Sequence, residues 1–92
     1  MSGRQRVDVW LFRARLAKTR AEAARLISEG GVRLVHNGQA RRVAKPSVEV
    51  EPGDVLVLPG HVGLRTIAVR GLSERRGPPA EARGLYDDQV DA

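Results

Sequence analysis

The chain has 92 residues, of which 41% are apolar and 29% are charged, and its formal net charge is +5. A chain of this length forms one domain with a small core, because it buries only about 60–65% of the surface that its unfolded form exposes. No apolar run approaches the roughly 18 residues of a membrane-spanning helix, and the charged N-terminus is not typical of a secretory signal. The absence of cysteine excludes disulfides and thiolate zinc sites. We therefore expect a soluble, cytoplasmic protein.

The positive charge is concentrated in the first half of the chain. Residues 1–50 contain eleven Lys or Arg and four acidic residues, a net charge of +7, whereas residues 51–92 have a net charge of −2. This asymmetry favours a polyanionic partner, either nucleic acid or an anionic membrane surface. The alternative explanation is that the excess of positive charge forms only a solvated face on a protein with an arginine-rich composition.

A first short helix is predicted near the N-terminus. Val7, Trp10, Leu11 and Ala14 recur at the spacing of one helical face, which places Trp10 in the core. Phe12 lies off that face, so its ring is either exposed for stacking on an RNA base or packed beneath the C-terminal segment.

A second helix is predicted to begin at a capping box, Thr19-Arg20-Ala21-Glu22, and to end at Gly30-Gly31. Unpaired amides and the helix dipole favour anions at a helix N-terminus. Because Arg15, Lys18 and Arg20 are predicted to converge there, the sequence indicates a phosphate-binding position between the two helices.

The rest of the chain predicts a small, mainly antiparallel sheet, and the fold class is therefore α+β. Asn37-Gly38 is typical of a two-residue hairpin turn, joining a strand at 32–36 to one at 39–43. Further strands are predicted at 55–58 and 64–69, connected by a hairpin at 60–63. Residues 73–79 are predicted as a loop and 80–85 as one or two helical turns. An acidic tail with Asp87, Asp88 and Asp91 follows. We expect this tail to be solvated, without a further role.

The sequence contains no arrangement of residues that is typical of catalysis. His36 and His61 lie in different segments without partners at metal-ligand spacing, and each is predicted to be a strand or surface residue. Adjacent carboxylates occur only in the predicted tail, where pre-organised acid–base chemistry is not expected. We expect no catalytic residue, metal site, cofactor or small-molecule substrate.

A set of ordered motifs resembles the S4 RNA-binding domain. The motifs are Arg6-Val7-Asp8, Trp10-Leu11, Arg15, Lys18-Thr19-Arg20, Ala23, Leu26-Ile27, Gly30-Gly31-Val32, Asn37-Gly38-Gln39, Lys45-Pro46-Ser47 and Pro52-Gly53-Asp54. The later run of Thr66 to Val69, Glu74-Arg75-Arg76, Pro79-Ala80 and Leu85-Tyr86 is similar to the fifteen-kilodalton heat-shock protein family. The resemblance implies an RNA-binding domain at 6–71 and a C-terminal extension with an acidic tail at 72–92.

The resemblance implies two N-terminal helices packed on a small twisted sheet, with the helices and the turn between them facing RNA. It also implies a non-enzymatic protein that binds ribosomal RNA of the large ribosomal subunit, including a subunit obstructed by peptidyl-tRNA, in rescue of stalled translation or the heat-shock response. Separately from the resemblance, we expect a monomer. The implied RNA contacts are Arg6, Arg15, Lys18, Thr19, Arg20 and Lys45. Arg25 is a further candidate RNA contact from the sequence. For Thr19, a role as a helix cap alone is an equal alternative. For Arg25, the alternative is an ordinary solvated helix residue.

Two departures from the family pattern are expected to matter. The heat-shock family usually continues into a long basic helical extension, whereas this sequence ends at Ala92 with an acidic stretch. The stretch from Gly31 to Asn37 is one residue longer than the usual pattern, which predicts a bulge in the first strand of the sheet.

Three other classes of protein remain open from the sequence. One is a DNA-binding helix-turn-helix protein, although a monomer without a dimer seam would read few bases. Another is an RNA-binding accessory subunit of an RNA-modifying enzyme, since S4 domains often precede such catalytic domains. The third is a binder of anionic membranes, which the narrow apolar face of the first helix disfavours.

Overall fold

The computed structural model describes residues 3–60 and 63–89. Its helices are α1 (Val7–Arg13), α2 (Arg20–Ser28) and α3 (Pro79–Ala82), and a 3-10 helix (Arg83–Leu85) follows α3. Its strands are β1 (Gln5–Arg6), β2 (Arg33–His36), β3 (Gln39–Arg42), β4 (Glu49–Val50), β5 (Val55–Pro59), β6 (Leu64–Val69) and β7 (Tyr86–Gln89). The predicted α+β class, with two N-terminal helices and an antiparallel sheet, is confirmed.

Helix α1 buries the face that its sequence predicts. Val7, Trp10 and Leu11 are fully buried, and Ala14 is buried one residue beyond the end of the helix. Asp8 is also buried, with 4% of its surface exposed, although it does not belong to that apolar stripe. Its carboxylate accepts hydrogen bonds from Arg6 and from the backbone amide of Val9, which compensates for the loss of water.

Helix α2 begins and ends at the predicted signals. The Thr19 hydroxyl accepts a hydrogen bond of 3.0 Å from the Glu22 amide, and Thr19 has extended backbone angles typical of an N-cap. Gly30 follows the last turn with φ of 79°, a left-handed conformation that glycine adopts without steric cost. Of the two capping-box bonds, the structure forms the one that Thr19 accepts.

The main sheet has five antiparallel strands in the order β3-β2-β5-β6-β7. The predicted Asn37-Gly38 turn is confirmed, with φ of 50° and 78° at its two residues. The predicted hairpin at 60–63 joins β5 and β6, and the Gly60 amide donates to the Gly63 carbonyl across it. His61 lies outside the described residues.

The predicted bulge in β2 is wrong. Pairing runs one residue to one residue from Arg33 opposite Arg42 to His36 opposite Gln39, and β2 is equally regular against β5. One residue before the strand, the Val32 carbonyl accepts from the Val43 amide and continues the ladder by one hydrogen bond. The pairing of β2 therefore contains no bulge.

A second, two-stranded ribbon connects the N-terminus to the middle of the chain. Strands β1 and β4 pair antiparallel, with Gln5 opposite Val50 and Arg6 opposite Glu49. The core lies between this ribbon, α1, α2 and one face of the five-stranded sheet. The largest side chains that the sheet buries in this core are Leu34, Leu56 and Ile67.

The C-terminal segment is part of the sheet. The predicted helical turn is present as α3 and the 3-10 helix. The prediction that Asp87 and Asp88 form a tail is wrong, because both lie in β7, the edge strand beside β6, although their side chains are exposed as expected. Asp91 lies outside the described residues. Within the described ranges, none of the helices has the length and apolar character needed to span a bilayer.

Candidate nucleic-acid interface

The connection between α1 and α2 makes a tight, irregular turn. After α1 the Arg15 amide donates to the Phe12 carbonyl and the Leu16 amide to the Leu11 carbonyl. Arg15 itself has φ of 61°, the left-handed region that residues other than glycine rarely occupy. The turn buries Ala17 and exposes the three residues that follow it, Lys18, Thr19 and Arg20.

These exposed residues surround the N-terminus of α2. Lys18 precedes the Thr19 cap, and Arg20 is the first residue of the helix. Amides of the first helical turn that lack partners within the helix point towards this end and add partial positive charge to the two cations. The arrangement therefore favours an anion such as a phosphate group.

Arg15 is exposed but is also tied to the C-terminal segment. Its Nε donates a hydrogen bond of 2.7 Å to the carbonyl of Gly77, which is buried. The hydrogen bond uses Nε, and the residue as a whole stays exposed. Arg15 thus contributes both charge and a structural link, which the sequence did not predict.

The predicted contacts Arg6 and Lys45 lie at the opposite end of α1. Arg6 precedes the helix and pairs with the buried carboxylate of Asp8, with two N–O distances of 3.1 Å. Lys45 is exposed in a loop whose Pro46 carbonyl accepts from the Asp8 amide. A seven-residue helix is about 10 Å long, so the predicted set is divided into two groups about that far apart.

Arg25 lies apart from both groups, exposed in the last turn of α2. Arg41 and Arg42 lie on the exposed edge strand β3, where charge protects a sheet edge from pairing with other chains. The Arg42 guanidinium lies against Gly30, where a Cβ atom would collide with it. Arg42 therefore covers the C-terminal end of α2, a position where the helix dipole favours a cation.

Ion pairs neutralise the two halves of the molecule unequally. In the C-terminal half, Arg65 pairs with Asp88, Arg70 with Asp87 and Arg75 with Glu81. Among residues 3–60 and 63–89, no carboxylate oxygen lies within 4.0 Å of a side-chain nitrogen of the following cations: Arg15, Lys18, Arg20, Arg25 and Lys45. The positive charge of the helical region therefore remains available to a ligand.

The Arg65–Asp88 pair is the best formed of these contacts. Arg65 donates two hydrogen bonds of 2.7 Å to the two carboxylate oxygens of Asp88. These bonds lower the pKa of Asp88 below its ordinary value and raise the pKa of Arg65. The pair joins β6 to β7 and keeps the acidic residues of β7 occupied within their own half of the molecule.

A histidine and two carboxylates come together on another face of the sheet. His36 Nδ1 lies 2.6 Å from Asp54 Oδ1 and 3.5 Å from Glu51 Oε1, and the other Asp54 oxygen accepts from the Glu51 amide. The prediction that His36 is a strand residue is confirmed, but its acidic partners were missed. They lie 15 and 18 positions away, and only the β2–β5 pairing brings them together.

Arg76 is a second residue that sequence reasoning missed. Its Nε donates to the Phe12 carbonyl at 3.0 Å, and its guanidinium lies over the Phe12 ring, 4.7 Å from the centroid. Of the two alternatives for Phe12, the structure therefore supports packing against the C-terminal segment. No local pattern predicts this contact, because the two residues are 64 positions apart.

Comparison with known proteins identifies the class to which this fold belongs. The family model described as "S4 domain" matches residues 5–56, and the chain belongs to this family. The matched stretch contains both helices and the strands β1 to β4, and therefore every predicted RNA contact.

Among curated relatives, Heat shock protein 15 of Escherichia coli strain K12 is 40% identical over 87 residues. That alignment covers 95% of this chain and 62% of the relative, so the chain spans about three fifths of that protein's length. The small ribosomal subunit protein uS4 of Alkalilimnicola ehrlichii is 38% identical over 77 residues, covering 82% of this chain and 35% of the relative. The chain is thus an S4 domain protein similar to Heat shock protein 15.

A solved structure agrees with this assignment. The trimeric structure of Heat Shock Protein 15 from Vibrio cholerae matches with a TM-score of 0.79 and 38% identity, covering 95% of this chain and 83% of that one. The match extends well beyond the S4 stretch and includes the C-terminal segment that packs on α1.

Proposed function

We propose that the chain binds structured RNA through a basic surface formed by Arg15, Lys18, Thr19 and Arg20. The observation that carries this proposal is the position of Lys18 and Arg20 at the N-terminus of α2, exposed and without a carboxylate partner among the described residues. Cations at a helix N-terminus oppose the helix dipole and do not stabilise the fold. A bound phosphate would compensate for both the charges and the unpaired amides.

The second basic group, Arg6 and Lys45, extends the proposed surface. It lies about one length of α1, on the order of 10 Å, from the first group, so the two would contact different phosphates. The guanidinium of Arg20 can hold a phosphate in bidentate fashion, whereas Arg6 already donates from two of its nitrogens to Asp8 and would contribute its outer edge. The helices fix the spacing between the contacts. Such a surface recognises the shape and backbone of folded RNA rather than a base sequence. Arg25 would contribute charge at the margin.

The partner we propose is ribosomal RNA of the large ribosomal subunit, together with a peptidyl-tRNA that obstructs it, in rescue of stalled translation in the cytoplasm. The names of the relatives support a connection with the ribosome and with heat shock. We propose residues 6–71 as the RNA-binding domain and 72–92 as its extension, acting as a monomer without catalytic activity. Because the Vibrio cholerae relative is trimeric, analytical ultracentrifugation of the free chain tests the monomer directly.

Two measurements test this function. In the first, lysate is sedimented with and without induced ribosome stalling; we expect co-migration with free large subunits that increases on stalling. A chain that stays entirely in the non-sedimenting fraction would contradict the ribosomal role. In the second, a structured ribosomal RNA fragment competes with duplex DNA of equal length in a filter-binding assay. RNA should be preferred, and equal or tighter binding of DNA would favour the DNA-binding alternative.

A further inference from the structure

The dipeptide Arg76-Gly77 connects the C-terminal segment to both sides of the α1–α2 connection. Arg76 donates from Nε to the carbonyl of Phe12, in the last turn of α1, and from Nη2 to the carbonyl of Ala17 at 3.5 Å. The carbonyl of Gly77 accepts from Arg15 Nε at 2.7 Å. One short stretch therefore holds the beginning, the middle and the end of the turn.

The turn needs such a support. The seven-residue helix α1 ends in an irregular turn, in which the Leu11 carbonyl accepts from the amides of Leu16 and Ala17 rather than from a regular helical partner. Arg15 is held in a left-handed conformation, with φ of 61°, that is unfavourable for a residue with a Cβ atom. The planar guanidinium of Arg76 bonds two carbonyls and stacks on the Phe12 ring at once, which a flexible ammonium group cannot reproduce.

Arg76 itself is poorly placed to bind a phosphate. Two of its nitrogens are occupied by backbone carbonyls, one of its faces covers an aromatic ring, and the residue is partly buried. Ala17, one of its partners, is buried and immediately precedes Lys18. Arg76 contacts the backbone of the turn rather than its exposed side.

We propose that Arg76 is a positioning residue for RNA recognition: it fixes the α1–α2 connection so that Arg15, Lys18 and Arg20 are presented in one geometry before RNA arrives. This inference rests on the proposed function. It assigns part of the recognition to residues outside the stretch of 5–56 that matches the S4 domain. Without Arg76 the turn would become ordered only when RNA binds. The entropy lost in that step would lower the affinity, although no contact to RNA is removed.

Arg75 provides a matched control. It is the adjacent residue, carries the same charge, and its guanidinium pairs with Glu81 on the exposed side of the segment at 3.3 Å. Replacing either arginine by glutamine removes one positive charge, so the general electrostatic loss is the same for both. Any further loss in the Arg76 variant reports the contacts with the turn.

The test compares Arg76→Gln, Arg76→Lys and Arg75→Gln with the wild-type chain, using a structured ribosomal RNA fragment at several salt concentrations. Both Arg76 variants should bind about threefold to tenfold more weakly than Arg75→Gln. The Arg76→Lys variant should keep the wild-type slope of log affinity against log salt, because no phosphate contact is lost. Two outcomes would show that Arg76 contacts phosphate and would overturn the proposal. One is wild-type affinity in Arg76→Lys, and the other is a salt dependence that is less steep by about one in Arg76→Gln.

Amide hydrogen exchange separates this inference from the proposed function. In Arg76→Lys, the amides of Arg15, Leu16 and Ala17 should exchange at least about tenfold faster, while amides of β5 and β6 keep their rates. Unchanged exchange in the turn would overturn the positioning role whether or not RNA binds. If the wild-type chain does not bind RNA, the proposed function and the role of Arg76 in recognition are both overturned. Faster amide exchange in Arg76→Lys would in that case still establish that Arg76 supports the turn.

Discussion

The indole Nε1 of Trp10 donates a hydrogen bond of 2.8 Å to the carbonyl of Gly71, 61 positions further along the chain. Trp10 is fully buried in α1, and Gly71 begins the segment that leads to Arg76. Gln5 and Arg13 both donate to the carbonyl of Ser73, two residues later. The proposed RNA-binding helix and the C-terminal segment are therefore joined by several hydrogen bonds.

Replacing Trp10 by phenylalanine tests this connection. The ring remains apolar, but the N–H is lost and the Gly71 carbonyl loses its partner, so the free energy of unfolding should fall by about 1–3 kcal/mol. Urea denaturation followed by far-UV circular dichroism measures the change, since Trp10 is the single tryptophan of the sequence. An unchanged midpoint would contradict the importance of the hydrogen bond.

Thr19 substitutions separate its role as a cap from its place in the proposed interface. Asparagine and aspartate both cap helices well, so Thr19→Asn and Thr19→Asp should keep the wild-type stability, whereas Thr19→Ala should lose about 1 kcal/mol. Only Thr19→Asp adds a negative charge beside Lys18 and Arg20. It should therefore weaken RNA binding by about tenfold in a filter assay while Thr19→Asn does not. Equal affinities for the two variants would place Thr19 outside the interface.

Gly30 should not tolerate a side chain. Its φ of 79° is unfavourable for alanine, and a Cβ would collide with the Arg42 guanidinium. We expect Gly30→Ala to destabilise the fold by about 1–2 kcal/mol in thermal unfolding. Gly84→Ala is the control, because a Cβ there meets no atom within 4 Å, and its unfolding temperature should stay near the wild-type value. Similar effects of both substitutions would argue against the left-handed cap.

The Arg65–Asp88 pair should make the attachment of β7 dependent on acid. The pKa of Asp88 is lowered in the folded chain by hydrogen bonds from Arg65, so the unfolded chain binds the proton more readily. The stabilisation is fully present above the ordinary carboxyl pKa of about 4 and is lost as pH falls through the lower folded pKa. The difference in unfolding free energy between wild type and Asp88→Asn, measured with urea, should be largest near pH 6 and should shrink as the pH falls below about 4. A difference that persists at low pH would contradict this assignment.

The parts of the structure that were predicted from sequence depend on local signals. The Thr19 cap, the Gly30 end and the Asn37-Gly38 turn are each specified by the backbone preferences of two to four adjacent residues. The apolar stripe of α1 follows from helical spacing in the same way. Long-range pairing has no such signal, so the β1–β4 ribbon and the edge strand β7 were not predicted.

Two features of the candidate site also depend on long-range packing and were not predicted from the sequence. The burial of Asp8 depends on the packing of α1 against the loop that contains Pro46, and the contacts of Arg76 depend on where the C-terminal segment crosses α1. The predicted bulge in β2 was wrong because it was inferred from the length of a segment. Length alone does not say whether the additional residue lies within a strand or before it.

The central claim is that Lys18 and Arg20 bind RNA phosphates at the N-terminus of α2. The most direct test is the salt dependence of affinity for a structured ribosomal RNA fragment, compared between wild type and Lys18→Ala with Arg20→Ala. Arg70→Ala with Arg83→Ala is the control, since it removes two charges from the C-terminal half. The plot of log affinity against log salt should be less steep by about two in Lys18→Ala with Arg20→Ala, and its slope should stay near the wild-type value in the control. Equal slopes in all three proteins would contradict the account.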